Sequence, residues 1–118
     1  MYGFKEIDTA TLRQWQDTGH GFRLLDVRTP AETARGVIPG AEALPLHLLP
    51  LRVQELGGDT PLVIYCQSGA RSAQACAFLA QHGLDEVYNL RGGIMGWAGS
   101  GLPVANLDES PAMAAGIS

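Results

Sequence analysis

Apolar positions along the chain alternate between two rhythms. Short continuous runs, bounded by turn residues, predict strands at Lys5-Glu6-Ile7, Leu24-Leu25-Asp26-Val27, Ala43-Leu44-Pro45, Leu62-Val63-Ile64-Tyr65 and Val87-Tyr88-Asn89-Leu90. Leu62–Tyr65 carries the strongest strand pattern, whereas Pro45 reads as a strand end because it cannot donate to a ladder. Between these runs the spacing turns helical. Asp8 or Thr9 caps a helix to about Asp17 that aligns Leu12 with Trp15, and Gly19 and Gly21 end it. Pro30 opens a short helix with Glu32 in its first turn, and Gly36 closes it. Ile38-Pro39-Gly40-Ala41 reads as a turn, and a helix from Pro50 to Leu56 stops at Gly57-Gly58. From Arg71 to His82 two apolar stripes share one helix: Ala73, Cys76, Ala77 and Ala80, then Ala75, Phe78 and Leu79. Such a helix is largely buried, and its alanines let it lie close to a sheet. Gly83 caps it, and Gly92-Gly93 opens a last short helix carrying Trp97.

Strands alternating with helices imply an α/β fold, a parallel sheet with helices on both faces. In that architecture ligands bind beyond the carboxyl ends of the strands. The 118 residues suit one domain, and 46% apolar with 17% charged residues is the composition of a globular chain. Net charge is −4 and the eight basic residues are scattered singly, so nucleic acid is discounted as a partner. The first residues contain no apolar run, and no segment is long enough to span a membrane; no signal peptide and no membrane association are expected. Two cysteines without C-x-x-C spacing argue against a disulfide scaffold or a metal site, and a cytoplasmic setting is expected. Residues 105–118, rich in Ala, Ser and Gly, read as a C-terminal tail to a domain over 1–104, with a short Ala112–Ala115 turn as its one structural candidate.

Chemistry gathers at Cys66, which follows the Leu62–Tyr65 strand and precedes the Arg71 helix. A thiol there faces unpaired N–H groups and the positive end of a helix dipole, both of which favour the nucleophilic thiolate. Gln67, Ser68, Gly69, Ala70, Arg71 and Ser72 make the surrounding loop and are the candidate substrate-binding residues. Arg71 has two readings of equal weight. It binds an anionic substrate, or it turns inward to pair with Asp26 or Glu32. Ser72 reads as a hydrogen-bond partner at the helix start. Cys76, on the small-residue stripe, reads as a buried inert thiol. His20 and His47 have nothing to tie them to Cys66, His82 reads as a partner of its helix dipole, and Arg28 and Arg35 read by default as scaffold or surface, with the edge of the pocket as the alternative. Asp26 reads as an acceptor that anchors the loop, and Trp15 and Trp97 as core anchors.

Four segments resemble the rhodanese family, in its order and spacing. They are Leu24-Leu25-Asp26-Val27-Arg28 with Glu32; Gly36-Val37-Ile38-Pro39-Gly40-Ala41 with Leu44-Pro45-Leu46; Tyr65-Cys66-Gln67-Ser68-Gly69-Ala70-Arg71-Ser72; and Leu90-Arg91-Gly92-Gly93-Ile94 with Trp97 and Gly101-Leu102-Pro103-Val104. Thr33 replaces the family's aromatic after the acid, and Val37 its histidine; both read as packing changes. The resemblance implies a single-domain rhodanese-like three-layer fold, with a five-stranded, mainly parallel sheet between helices. It implies a thiosulfate sulfurtransferase: Cys66 takes a sulfane sulfur from a small anionic donor, becomes a persulfide, and passes the sulfur to an acceptor without any cofactor. Cyanide, glutathione, thioredoxin and dihydrolipoate are all open as acceptors. Three other readings stand beside it: a persulfide carrier serving a partner protein, a regulatory binding module, and a related phosphatase. The phosphatase reading is disfavoured because only four residues separate Cys66 from Arg71, where such phosphatases have five.

Overall fold

The computed structural model describes residues 3–107. Five strands form one sheet: β1 (Lys5–Ile7), β2 (Arg23–Asp26), β3 (Ala41–Ala43), β4 (Leu62–Tyr65) and β5 (Val87–Leu90). Their order is β1-β5-β4-β2-β3, and every neighbouring pair is parallel. The α-helices are α1 (Thr9–Thr18), α2 (Pro30–Thr33), α3 (Leu49–Arg52), α4 (Ala70–Gln81) and α5 (Gly93–Gly99). The predicted three-layer fold is therefore present.

Because strand side chains alternate between faces, the apolar strands build two cores. Leu25, Leu62, Ile64 and Val87 meet Ala75, Cys76 and Leu79 of α4, with Leu49 and Leu56 closing that side. Leu24, Val63, Tyr65 and Leu90 face the other way, toward Leu12 of α1 and Ile94 and Trp97 of α5. All four residues of β4 are buried, as a strand covered on both faces requires. The buried face of α4 is Ser72, Ala75, Cys76, Leu79 and Ala80, drawn from both predicted stripes, so Ala73 and Ala77 of the small-residue stripe lie only partly buried beside it.

Caps set several helix starts where the sequence places them. Asp8 accepts the Thr11 N–H at 2.8 Å. Thr29 and Glu32 form a reciprocal capping box on α2, which adds a cap at Thr29 to the Pro30 and Glu32 signals of the sequence. Two expectations shift. The edge strand lies at Ala41–Ala43 rather than Ala43–Pro45, because Ala41 and Glu42 pair with Leu24 and Leu25 while Pro45 has no N–H to continue the ladder. The single helix expected from Pro50 to Leu56 is instead the short α3, beginning one residue earlier at Leu49, followed by a 3-10 turn (Val53–Glu55), and another 3-10 turn (Leu46–Leu48) precedes it. Buried Leu49 and Leu56 pin the two ends of this segment to the core. Beyond α5 the chain returns to the body: Ala105 and Val37 exchange backbone hydrogen bonds at 2.8 and 2.9 Å, and Leu107 packs on the α5-side core. The Ala112–Ala115 turn lies outside the described residues.

Candidate active site

Cys66 directly follows β4, joins the core on the α4 side, and is buried. Its Sγ accepts the N–H of Gly69 at 3.1 Å and of Ser72 at 3.3 Å, and lies 3.3 Å from the Ser72 hydroxyl. Burial alone would push the thiol up. The Ser72 hydroxyl and the N–H groups of Ser72, Gly69 and Ser68 outweigh that, and leave it below the ordinary thiol value.

The loop's curl is imposed from α5. The N–H groups of Ile94 and Met95, in the first turn of that helix, donate to the carbonyl oxygens of Cys66 (3.0 Å) and Gln67 (3.1 Å). In a planar trans peptide the next N–H points opposite the carbonyl. Tying the Gln67 carbonyl to α5 therefore turns the Ser68 N–H toward the sulfur. The close approach depends on Gly93, whose φ is +57°; a Cβ there would stand 2.5 Å from the carbonyl oxygens of both Cys66 and Gln67. Its role at the loop is absent from the sequence reading, which places Gly93 only at a helix start.

A second support comes from β5. The Ser72 hydroxyl lies 2.6 Å from Asn89 Oδ1 and 3.2 Å from the Gly69 carbonyl. Buried Asn89 in turn donates through Nδ2 to Glu6 at 3.2 Å and to the Gly69 carbonyl at 3.4 Å. The sequence treats Asn89 as one more strand residue. The available signal was a polar side chain two residues from Val87, on the face of β5 that Val87 shares with the core.

Of the two readings of Arg71, the geometry favours the inward one, toward Glu32 rather than Asp26. Its Nη1 and Nη2 grip the two Glu32 oxygens at 2.7 and 2.8 Å. Arg71, helped by the Thr29 N–H, holds the Glu32 carboxyl down at about 2. Asp26 is engaged elsewhere: it is fully buried and takes three contacts from Arg28, at 2.7 to 3.0 Å, plus the Arg28 N–H. Arg28 also reaches the Gly36 carbonyl at 2.6 Å and Gln67 Oε1 at 3.4 Å. Arg28 is thus a buried scaffold group that touches the loop, and Asp26 anchors the loop through it. Gln67, Ser68 and Ala70 are exposed, Gly69 is half-buried, and Ser72 is buried.

An open hollow of about 560 Å³ begins at Gln67 and runs past Arg28, Glu32, Arg35, Ile94, Met95, Ala98 and Val104. A smaller one, about 270 Å³, lies on the other side of Arg28, between Arg71 and His47. Cys76 is buried in the α4 core, and that burial pushes its thiol up to about 12. His20 stacks on Trp15 at 4.1 Å, and His82 Nδ1 lies 2.8 Å from the Phe78 carbonyl at the end of α4. Thr33 and Val37, the two departures from the family pattern, are both buried. Trp97 is a core anchor whose Nε1 donates to the Pro103 carbonyl at 2.8 Å. Among the described residues no helix is long and apolar enough to cross a membrane, and no group of three His, Cys, Asp or Glu side chains is placed to hold a metal ion.

Comparison with known proteins agrees with this geometry. The family model described as a rhodanese-like domain matches residues 8–100. A protein named sulfurtransferase from Allochromatium vinosum is 54% identical over 99 residues, covering 84% of this chain and 92% of that one. A thiosulfate sulfurtransferase from Stutzerimonas stutzeri is 38% identical over 97 residues, covering 82% and 87%. Among solved structures, a rhodanese-related protein from Thermoplasma volcanium superposes with a TM-score of 0.79 at 32% identity, covering 86% of this chain and 98% of that one.

Proposed function

The chain belongs to the rhodanese-like domain family, and from that premise we propose that it is a sulfurtransferase whose sulfur travels on Cys66. The observation that carries the reading is the set of groups around Cys66 Sγ: two backbone N–H donors, with the Ser72 hydroxyl beside them, all within 3.3 Å. Preorganised donors of this kind stabilise charge without reorganising as it develops. In the first step the Cys66 thiolate attacks the sulfane sulfur of thiosulfate. A Cys66–sulfur bond forms, the sulfur–sulfur bond of the donor breaks, and sulfite leaves with the electron pair. In the second step a thiolate or cyanide attacks the outer sulfur and Cys66 leaves as thiolate. Splitting the transfer in this way replaces one displacement by two easier ones.

Gln67, Ser68, Gly69 and Ala70 form the walls of the persulfide's cradle, Ser72 supplies its hydroxyl, and Arg71 braces the loop through Glu32. The four-residue span between Cys66 and Arg71, with the guanidinium engaged by Glu32, suits a single sulfur atom better than a tetrahedral phosphate. The free thiols of Cys66 and Cys76 suit a reducing compartment such as the cytoplasm.

Whole-protein mass spectrometry tests the proposal. Wild type mixed with thiosulfate should gain one sulfur atom, and cyanide should discharge it as thiocyanate. Cys66→Ser should gain none while keeping the circular dichroism of wild type. Sulfur loading on the serine variant would overturn the role of Cys66. If mercaptopyruvate loads wild type where thiosulfate does not, the donor assignment is wrong.

A further inference from the structure

We propose that the hollow beginning at Gln67 is the acceptor subsite, and that it takes a low-molecular-weight thiol carrying a carboxylate. This inference deepens the sulfur-transfer reading and rests on it. Three observations converge. The hollow, about 560 Å³, adjoins the cysteine loop directly and falls in the size range of small-ligand sites. One side of it is apolar, made by Ile94, Met95, Ala98 and Val104. Met95 and Val104, 58% and 44% exposed, are two of the three large apolar side chains that the described residues leave exposed. They offer a surface to the methylene skeleton of a thiol.

The charges of the hollow do not cancel. Arg28 is consumed by Asp26, and Glu32 is consumed by Arg71. Arg35 lines the same space; its backbone N–H donates to the Glu32 carbonyl at 3.1 Å, but its guanidinium makes no ion pair or hydrogen bond among the described residues. One uncompensated guanidinium therefore faces the hollow, in a chain of net charge −4. Its planar fork matches a carboxylate. An acceptor anchored there by its carboxylate would lay its carbon chain along Met95 and Val104 and turn its thiolate toward Gln67 and the persulfide. The transfer conserves electrons: the acceptor sulfur bonds to the sulfane sulfur, the bond to Cys66 Sγ breaks, and the products are an acceptor persulfide and the Cys66 thiolate.

The test loads wild type, Arg35→Gln and Arg35→Lys with sulfur from thiosulfate. Each is then unloaded with 3-mercaptopropionate or with its neutral amide, with rates expressed per thiolate. Wild type should prefer the carboxylate by about fivefold, as expected for one exposed ion pair. Arg35→Gln should erase that preference, Arg35→Lys should restore part of it, and added salt should weaken it in wild type. Equal rates with both thiols on wild type would overturn the proposal. Slow, unsaturable unloading by both thiols would also overturn it, and would point to a protein thiol. Slower loading of Arg35→Gln with unaltered unloading preference would make the hollow a donor site instead. Failure of wild type to load at all is visible before any thiol is added, and would sink the sulfur-transfer reading rather than the subsite.

Discussion

Gly93→Ala puts the coupling between α5 and the cysteine loop to a direct test. At φ +57° an alanine costs about 1 kcal/mol relative to glycine. The added methyl would then lie 2.5 Å from two backbone carbonyl oxygens and 2.7 Å from the Gln67 carbonyl carbon. Backbone has no rotamer by which to escape, so either the loop or α5 must move by several tenths of an ångström. Separation stretches the bonds from Ile94 and Met95 to the Cys66 and Gln67 carbonyls, each worth about 1 kcal/mol. The sum is about 3 kcal/mol, or a fall in Tm of roughly 10 °C for a chain of this size. Freed of α5, the Ser68 N–H loses its aim at the sulfur, so the midpoint of Cys66 alkylation by iodoacetamide against pH should move up. Gly99→Ala is the control, since a Cβ there meets nothing within 4 Å. If Gly93→Ala melts within about 2 °C of wild type and keeps its alkylation profile, the claim that α5 shapes the loop is wrong.

Two further outcomes follow from the same contacts. The Glu32 carboxyl is held at about 2 against an ordinary 4.5, so its ion pair with Arg71 contributes stability in full above pH 4.5. That contribution should drain away as pH falls from 4.5 toward 2; urea midpoints across this window should drop less steeply for Glu32→Gln than for wild type, and parallel slopes would refute the coupling. Ser72→Ala removes the hydroxyl beside Sγ and leaves Asn89 Oδ1 without its 2.6 Å partner, so the Cys66 alkylation midpoint should rise, and an unmoved midpoint would strike the hydroxyl from the list of thiolate stabilisers.

Much of the architecture is legible in the residues because it is written in local patterns. The apolar run Leu62–Tyr65, the cap at Asp8 and the alanine stripe of α4 each specify an element without help from distant chain. The position of Cys66 between β4 and α4 follows from the same patterns. What escaped is long-range. The middle segment broke into turns because buried Leu49 and Leu56 fix its ends to the core, which no helical spacing reports. Arg71 had two open carboxylate partners, and only the approach of α2 to the loop decides for Glu32. Asn89 and Gly93 look ordinary along the chain. Their meaning depends on β5 and α5 lying beside a loop made well before them, Asn89 against Ser72 and Gly93 against Cys66 and Gln67.

The last helix is also the last piece of the site to exist. A chain synthesised only through α4 already contains the residues Cys66, Ser72, Arg71 and Glu32. It lacks Asn89 behind the Ser72 hydroxyl, and it lacks the Ile94 and Met95 N–H groups that turn the loop. β1 likewise has no partner until β5 arrives, since the sheet joins the first strand to the last. The reactive thiol is therefore a property of the finished domain, since the groups that hold the loop's shape from behind come from β5 and α5, which are made after it.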